Sequence, residues 1–154
     1  MGATWLDEPG IPAPWNDAAY TGDYGRTGFY RHSPTRNGAT VTISNEKFVT
    51  MSNPIEMDVD GNSAIYLTSW NNGGFTYTGP DKGYIARVVP KGYQPEPLPD
   101  FDKLSNSGLV KLLESPSQKR RLEAQSVLLR LSGAEAEVTP LLQTLASDTT
   151  KRLH

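Results

Sequence analysis

In Ile55-Glu56-Met57-Asp58-Val59-Asp60-Gly61-Asn62-Ser63-Ala64-Ile65-Tyr66-Leu67, apolar residues alternate with acids, halt at an Asp-Gly step and resume at once. A period of two puts one set of side chains on each face of a half-buried strand. Asp60-Gly61-Asn62 then reverses the chain, because glycine accepts the positive φ that hairpin turns demand. The stretch therefore reads as an antiparallel hairpin. Residues 84–89, Tyr-Ile-Ala-Arg-Val-Val, form a third strand that ends at Pro90, and residues 40–43 and 48–51 are two earlier strand candidates. Short strands with short turns make an antiparallel meander. Upstream, residues 6–37 contain Pro9, Pro12, Pro14 and Pro34, with Trp15, Tyr20, Tyr24, Phe29 and Tyr30 at no clear period. This segment reads as a long irregular loop pinned by aromatics.

The character of the chain changes at Pro95-Glu96-Pro97-Leu98-Pro99, whose prolines prevent helix and disfavour a central strand. Beyond it leucines recur at helical spacing. Ser105, Asn106 or Ser107 can cap a short helix bearing Leu109, Val110, Leu112 and Leu113, which Pro116 stops. Ser117 can cap a second helix reaching about Leu131, with Ala124, Val127, Leu128 and Leu131 as its buried stripe and Gly133 as its stop. A third carries Val138, Leu141, Leu142 and Leu145; Pro140 either begins it after a Thr139 cap or kinks a longer helix, and the kink is the favoured reading.

This tail repeats itself. Ser115-Pro116-Ser117-Gln118-Lys119-Arg120 is answered 32 positions on by Ser147-Asp148-Thr149-Thr150-Lys151-Arg152, and Leu109, Val110 and Leu113 by Leu141, Leu142 and Leu145. Such a period marks stacked helical repeats, whose units bury their apolar faces only against neighbours. The expected organisation is α+β: residues 1–94 an antiparallel β region, 95–104 a proline-rich linker, and 105–154 helical repeats with the second cut short. On that reading the chain is a piece of a longer polypeptide.

Composition narrows the function classes. With 36% hydrophobic and 21% charged residues the chain suits a folded domain or two small ones. Its net charge of −2, with acids and bases interspersed, offers no field for nucleic acid and no polybasic block for anionic lipid. Lys119-Arg120-Arg121 has no aromatic partner and reads as the solvated face of a repeat. The absence of cysteine excludes disulfides, thiolate metal sites, a cysteine nucleophile and a covalently attached c-type haem within this stretch. No membrane span or signal peptide is visible in the sequence. Asp58, Asp60 and Asn62 are spaced like the opening of a calcium loop, but Ser63 stands where glycine is required and Ser69 where a bidentate glutamate is required. A plain hairpin turn is the better reading, and no metal site is assigned.

Residues 54–92, including Met57-Asp58-Val59-Asp60-Gly61-Asn62, Ile65-Tyr66-Leu67-Thr68-Ser69-Trp70 and Gly83-Tyr84-Ile85-Ala86-Arg87-Val88, resemble a late blade of bacterial glucose/sorbosone dehydrogenase-like β-propellers. The tail is similar to HEAT repeats. The order of propeller, proline-rich linker and HEAT units resembles large exported bacterial proteins described as membrane-bound or PQQ-dependent dehydrogenase-like. The resemblance implies a partial propeller, its last blade region, in a periplasmic or secreted sugar or alcohol dehydrogenase. PQQ and calcium would then bind the full-length protein, and this chain would not catalyse alone. It also implies that the general-base histidine and most cofactor ligands lie in earlier blades, so no catalytic residue is assigned here. The partners it implies are the rest of the propeller and the following helical repeats. A non-enzymatic propeller and repeat scaffold that binds carbohydrate or protein is the alternative.

In such a propeller the connection from Trp70 to Gly83 would lie on the ligand face. Its aromatics can stack on a pyranose or quinone ring, and its asparagine amides can donate and accept. Trp70, Asn71, Asn72, Phe75 and Tyr77 are thus candidate ligand contacts, against the plainer reading of a packed surface loop. Arg26, Arg31, His32 and Arg36 lie among aromatics and could hold a carboxylate or phosphate. Arg31 and His32 join the candidate set. His32 could act as a general base, but no carboxylate is spaced to orient it, so a structural histidine is the better account.

Overall fold

The computed structural model describes residues 2–70, 82–131 and 133–150. The chain divides into two compact units, Met1–Pro95 and Glu96–His154.

The first unit is built from two antiparallel sheets. Strands β1 (Ala3–Leu6), β2 (Ala18–Asp23), β3 (Gly28–Asn37) and β4 (Thr40–Thr50) pair in chain order, and β5 (Pro54–Val59), β6 (Ile65–Ser69) and β7 (Tyr84–Val88) form a second meander. The expected irregular loop over residues 6–37 is thereby corrected, since two strands lie inside it. Within β2, Ala18, Tyr20 and Gly22 face the core while Ala19, Thr21 and Asp23 face away. Only residues 7–17 remain as a proline-rich connection. The two strand candidates at 40–43 and 48–51 are likewise one long strand. Its pairing slips where Phe29 opposes Val49 but Tyr30 opposes Lys47, leaving Phe48 as the extra residue of a bulge. The bulge turns Phe48 inward, where its ring meets Trp15 at 5.4 Å and Tyr20 at 5.3 Å between centroids.

The hairpin of β5 and β6 forms with Val59 opposite Ile65. Its turn is shaped differently from the expectation: Ser63, not Gly61, takes the left-handed conformation, with φ 62°. Asp60 holds the turn by accepting from the N–H groups of Asn62 and Ala64, each at 2.9 Å. The facing surfaces of the sheets close on Leu6, Tyr20, Phe29, Met57, Val59, Ile65 and Leu67, all buried. Strand β4 is a free edge of its sheet, and β3 runs past its last β2 partner at His32, so residues 33–44 project as a two-stranded arm.

The second unit contains a 3-10 turn, Phe101–Lys103, and helices α1 (Asn106–Leu112), α2 (Gln118–Arg130) and α3 (Glu135–Ser147). Ser105 and Ser117 are the caps, accepting from Gly108 N and Arg120 N at 3.2 Å each. Gly133, at φ 79°, supplies the left-handed residue between α2 and α3. Pro140 lies inside α3, which starts at Glu135, so the longer-helix alternative holds. Leu109, Ala124 and Val127 form the core with Phe101 and Leu104 packed against it.

Arg120 was expected on a solvated face and is instead buried, at 7% exposure. It falls on the inward stripe of α2, four positions before Ala124 and seven before Val127. Its guanidinium donates to the backbone carbonyls of Glu96 and Pro97. A buried charge is tolerable only when hydrogen-bonded, and those carbonyls provide the acceptors.

Candidate functional site

Three connections meet at one end of the β unit: β2 to β3, β4 to β5, and the beginning of β6 to β7. Met51 N donates to Thr27 O at 3.2 Å, joining the first to the second. Trp70 N donates to Asn53 O at 3.0 Å, and Asn53 Nδ2 returns a bond to Trp70 O at 3.0 Å. Ser69 Oγ donates to Ser52 O at 2.5 Å. Gly83 permits the return of the chain, because a Cβ there would sit 2.5 Å from Ser69 O. Thr27 and Asn53 both hold positive φ, 52° and 42°. For a β-branched residue such as Thr27 that is costly, of order 1–3 kcal/mol. Trp70 is thus anchored by its backbone at the mouth of the β6–β7 connection. The other candidates on that connection, Asn71, Asn72, Phe75 and Tyr77, lie outside the described residues.

Arg31 and His32, neighbours in sequence, point to opposite faces of their sheet. The core-side row runs Tyr20, Arg31, Glu46 and the outer row Ala19, His32, Asn45. Arg31 Nη1 donates to Glu46 Oε2 at 3.2 Å. Tyr20 OH, buried beneath, donates to Trp15 O at 2.5 Å. Burial pushes the Tyr20 phenol up to about 12, with Arg31 opposing the shift and Glu46 adding to it.

The sign of that shift gives a prediction. The phenol stays protonated in the fold but ionises near 10 in the unfolded chain, so its contribution is fully present below pH 10 and is lost between about pH 10 and 12. Stability of the β unit should fall there by roughly 1 kcal/mol per pH unit. Tyr20→Phe should flatten this dependence in urea titrations read by tryptophan fluorescence. An unchanged slope would remove Tyr20 as its source.

On the outer row, His32 Nδ1 lies 2.7 Å from Asn45 Oδ1 and His32 Nε2 lies 2.7 Å from Thr21 Oγ1. An amide oxygen can only accept, so Nδ1 carries the hydrogen and Nε2 faces the hydroxyl. Both ring nitrogens are engaged across three strands. The order hydroxyl, imidazole, amide is that of an oriented base and its nucleophile. Here it functions as a cross-strand clamp on a sheet face. Asn45 was missed because it lies in the stretch between the two supposed strands.

The turn oxygens are also committed. Asp60 Oδ2 accepts from Tyr66 OH at 3.1 Å, and Asp58 Oδ1 accepts from Val59 N at 2.8 Å. Arg87 Nε donates to Tyr66 OH at 3.2 Å, extending the network across β6 and β7. Among the described residues, no group of histidine, aspartate and glutamate side chains could hold a metal ion. No helix among them is long and apolar enough to cross a membrane. No protein-family model, no curated protein and no solved structure matches this chain.

Proposed function

We propose that the β unit is the last blade region of a propeller similar to bacterial glucose/sorbosone dehydrogenases, and that the helical unit opens a HEAT-like array behind it. The full-length protein on this reading is an exported, PQQ-dependent sugar or alcohol oxidoreductase in the periplasm or outside the cell. The observation that supports it most is the stacking of two successive antiparallel meanders face to face, with the β2–β3 and β4–β5 connections and the end of β6 at Trp70 gathered at one end. Radially repeated sheets with ligand-bearing loops at one end are what a propeller requires.

Among the described residues the turn carboxylates accept from backbone amides and from Tyr66, and no group of histidine, aspartate and glutamate side chains could hold a metal ion. On this reading the catalytic residues belong to earlier blades, and no chemical step is assigned to this chain. Its part is to present Trp70 and the connection behind it to a ligand, while the cofactor supplies the redox chemistry.

Two measurements test the reading. Calcium and PQQ titrated into the full-length protein, with a sugar panel and an artificial electron acceptor, should give cofactor-dependent turnover. A folded protein with neither binding nor turnover would transfer the reading to a carbohydrate- or protein-binding scaffold. Replacing Trp70, Phe75 and Tyr77 together with alanine should weaken ligand binding by roughly tenfold or more, with circular dichroism unchanged. Unaltered affinity would remove these side chains from the site.

A further inference from the structure

Strands β3 and β4 meet at Asn37-Gly38-Ala39-Thr40, where Asn37 pairs with Thr40 across the turn at the tip of the arm. Gly38 takes the left-handed conformation at φ 60°, and a Cβ placed on it would meet nothing within 4 Å. Having no side chain, glycine leaves its own peptide N–H unshielded. Asn37 is exposed, and the carboxamide carbon of its side chain is close enough along the chain to close a cyclic imide with that nitrogen.

The other asparagines are placed differently. Asn16 Oδ1 accepts from Glu8 N at 2.8 Å, and Asn45 Oδ1 faces His32 Nδ1 at 2.7 Å. Asn53 Nδ2 donates to Trp70 O at 3.0 Å, and Asn106 Nδ2 donates to Glu137 Oε2 at 2.7 Å. Among the described residues Asn37 alone is followed by glycine, and no hydrogen bond there holds its side-chain amide. The Asp60-Gly61 step is protected from the same ring closure, because the Asp60 carboxylate accepts from Asn62 N, Ala64 N and Tyr66 OH. A second contact favours reaction at Asn37. Thr40 Oγ1 donates to Asn37 O at 3.0 Å. That carbonyl shares a peptide unit with the Gly38 N–H, so the hydroxyl stabilises the negative charge that spreads onto the oxygen as the proton leaves nitrogen.

We infer that Asn37 is a site of spontaneous covalent modification, deamidating through a cyclic imide with the Thr40 hydroxyl as an aid to ring closure. The Gly38 N–H gives its proton to hydroxide, and the nitrogen bonds to Asn37 Cγ. The Cγ–Nδ2 bond breaks, and Nδ2 takes a proton from water and leaves as ammonia. Water then opens the imide at either of its carbonyls, giving aspartate or isoaspartate. The net change is amide plus water to carboxylic acid plus ammonia. Isoaspartate routes the main chain through its own Cβ and Cγ, which adds a methylene to the backbone and breaks the pairing of residue 37 with Thr40. The arm thereby gains a negative charge and loses the geometry of its turn.

The test ages the intact chain at mildly alkaline pH and follows each asparagine by mass spectrometry of its peptides. Residue 37 should convert ahead of Asn16, Asn45, Asn53, Asn62 and Asn106, with isoaspartate among the products. Thr40→Val keeps a β-branched residue in the strand and removes the hydroxyl. It should slow conversion in the folded chain by roughly threefold or more, the worth of one hydrogen bond in the transition state. In urea, where the hydroxyl is no longer held at the carbonyl, the two chains should react at the same rate. Asn37→Gln, with a side chain one methylene longer, should leave position 37 unchanged over the same period. An intact Asn37 after the other five have converted would overturn the site. Equal or faster conversion of folded Thr40→Val would overturn the part given to the hydroxyl.

Discussion

Arg120→Ala should lower the unfolding midpoint of the helical unit by roughly 10 °C or more. The guanidinium is buried and donates to two backbone carbonyls, Glu96 O and Pro97 O. Hydrogen bonds to a charged group contribute about 1.5–3 kcal/mol in such settings, and in a unit of this size each kcal/mol moves the midpoint by about 4–8 °C. Its ion pair with Glu96, at 3.8 Å, adds little because that carboxylate is solvated. Arg120→Lys should recover only part of the loss, since a single ammonium cannot reproduce the planar fork. Thermal circular dichroism at 222 nm reads the helices directly. A shift of a degree or two for Arg120→Ala would mean that the guanidinium is not an anchor at all.

Phe29→Ala should cost about 3–5 kcal/mol in the β unit, the usual range for emptying a buried aromatic site. Phe29 is fully buried among Leu6, Tyr20, Met57 and Leu67. Its ring also lies against Gly22, where even a Cβ would come within 3.1 Å of it. The cavity cannot collapse easily, because both sheets are fixed by their ladders. All three tryptophans, Trp5, Trp15 and Trp70, belong to this unit, so their fluorescence in urea follows it selectively. A loss below about 1 kcal/mol would contradict the placement of Phe29 between the sheets.

The contrast between what was and was not legible has physical causes. The β5–β6 hairpin shows in sequence because large apolar residues alternate with acids in Met57-Asp58-Val59. The β2 strand alternates just as regularly in burial, but its inward positions include Ala18 and Gly22, too small to register as hydrophobic. Pro34 concealed β3, yet it falls beyond the last β2 partner, where one edge of the strand is free. The serine caps of α1 and α2 were readable, since capping is a local property of the chain. Arg120 was not, because the acceptors that justify its burial come from residues more than twenty positions away. For the candidate site the same division holds. Trp70 could be placed from strand order alone, while the pairing of His32 with Thr21 and Asn45 depends on a register that a bulge decides.

The projecting arm of β3 and β4 bears on how the protein behaves in concentrated solution. Its outer strand is exposed along most of its length, with Val41 and Ile43 uncovered and one row of backbone donors and acceptors facing outward. An edge of that kind is a template for strands from other molecules. Glu46 and Lys47 guard one part of it by charge, and the bulge at Phe48 bends the ladder beside them. The stretch Thr40-Val41-Thr42-Ile43 carries no such guard. Self-assembly of the unfolded or partly opened chain should therefore begin there, and a single lysine at Val41 would be the economical way to suppress it.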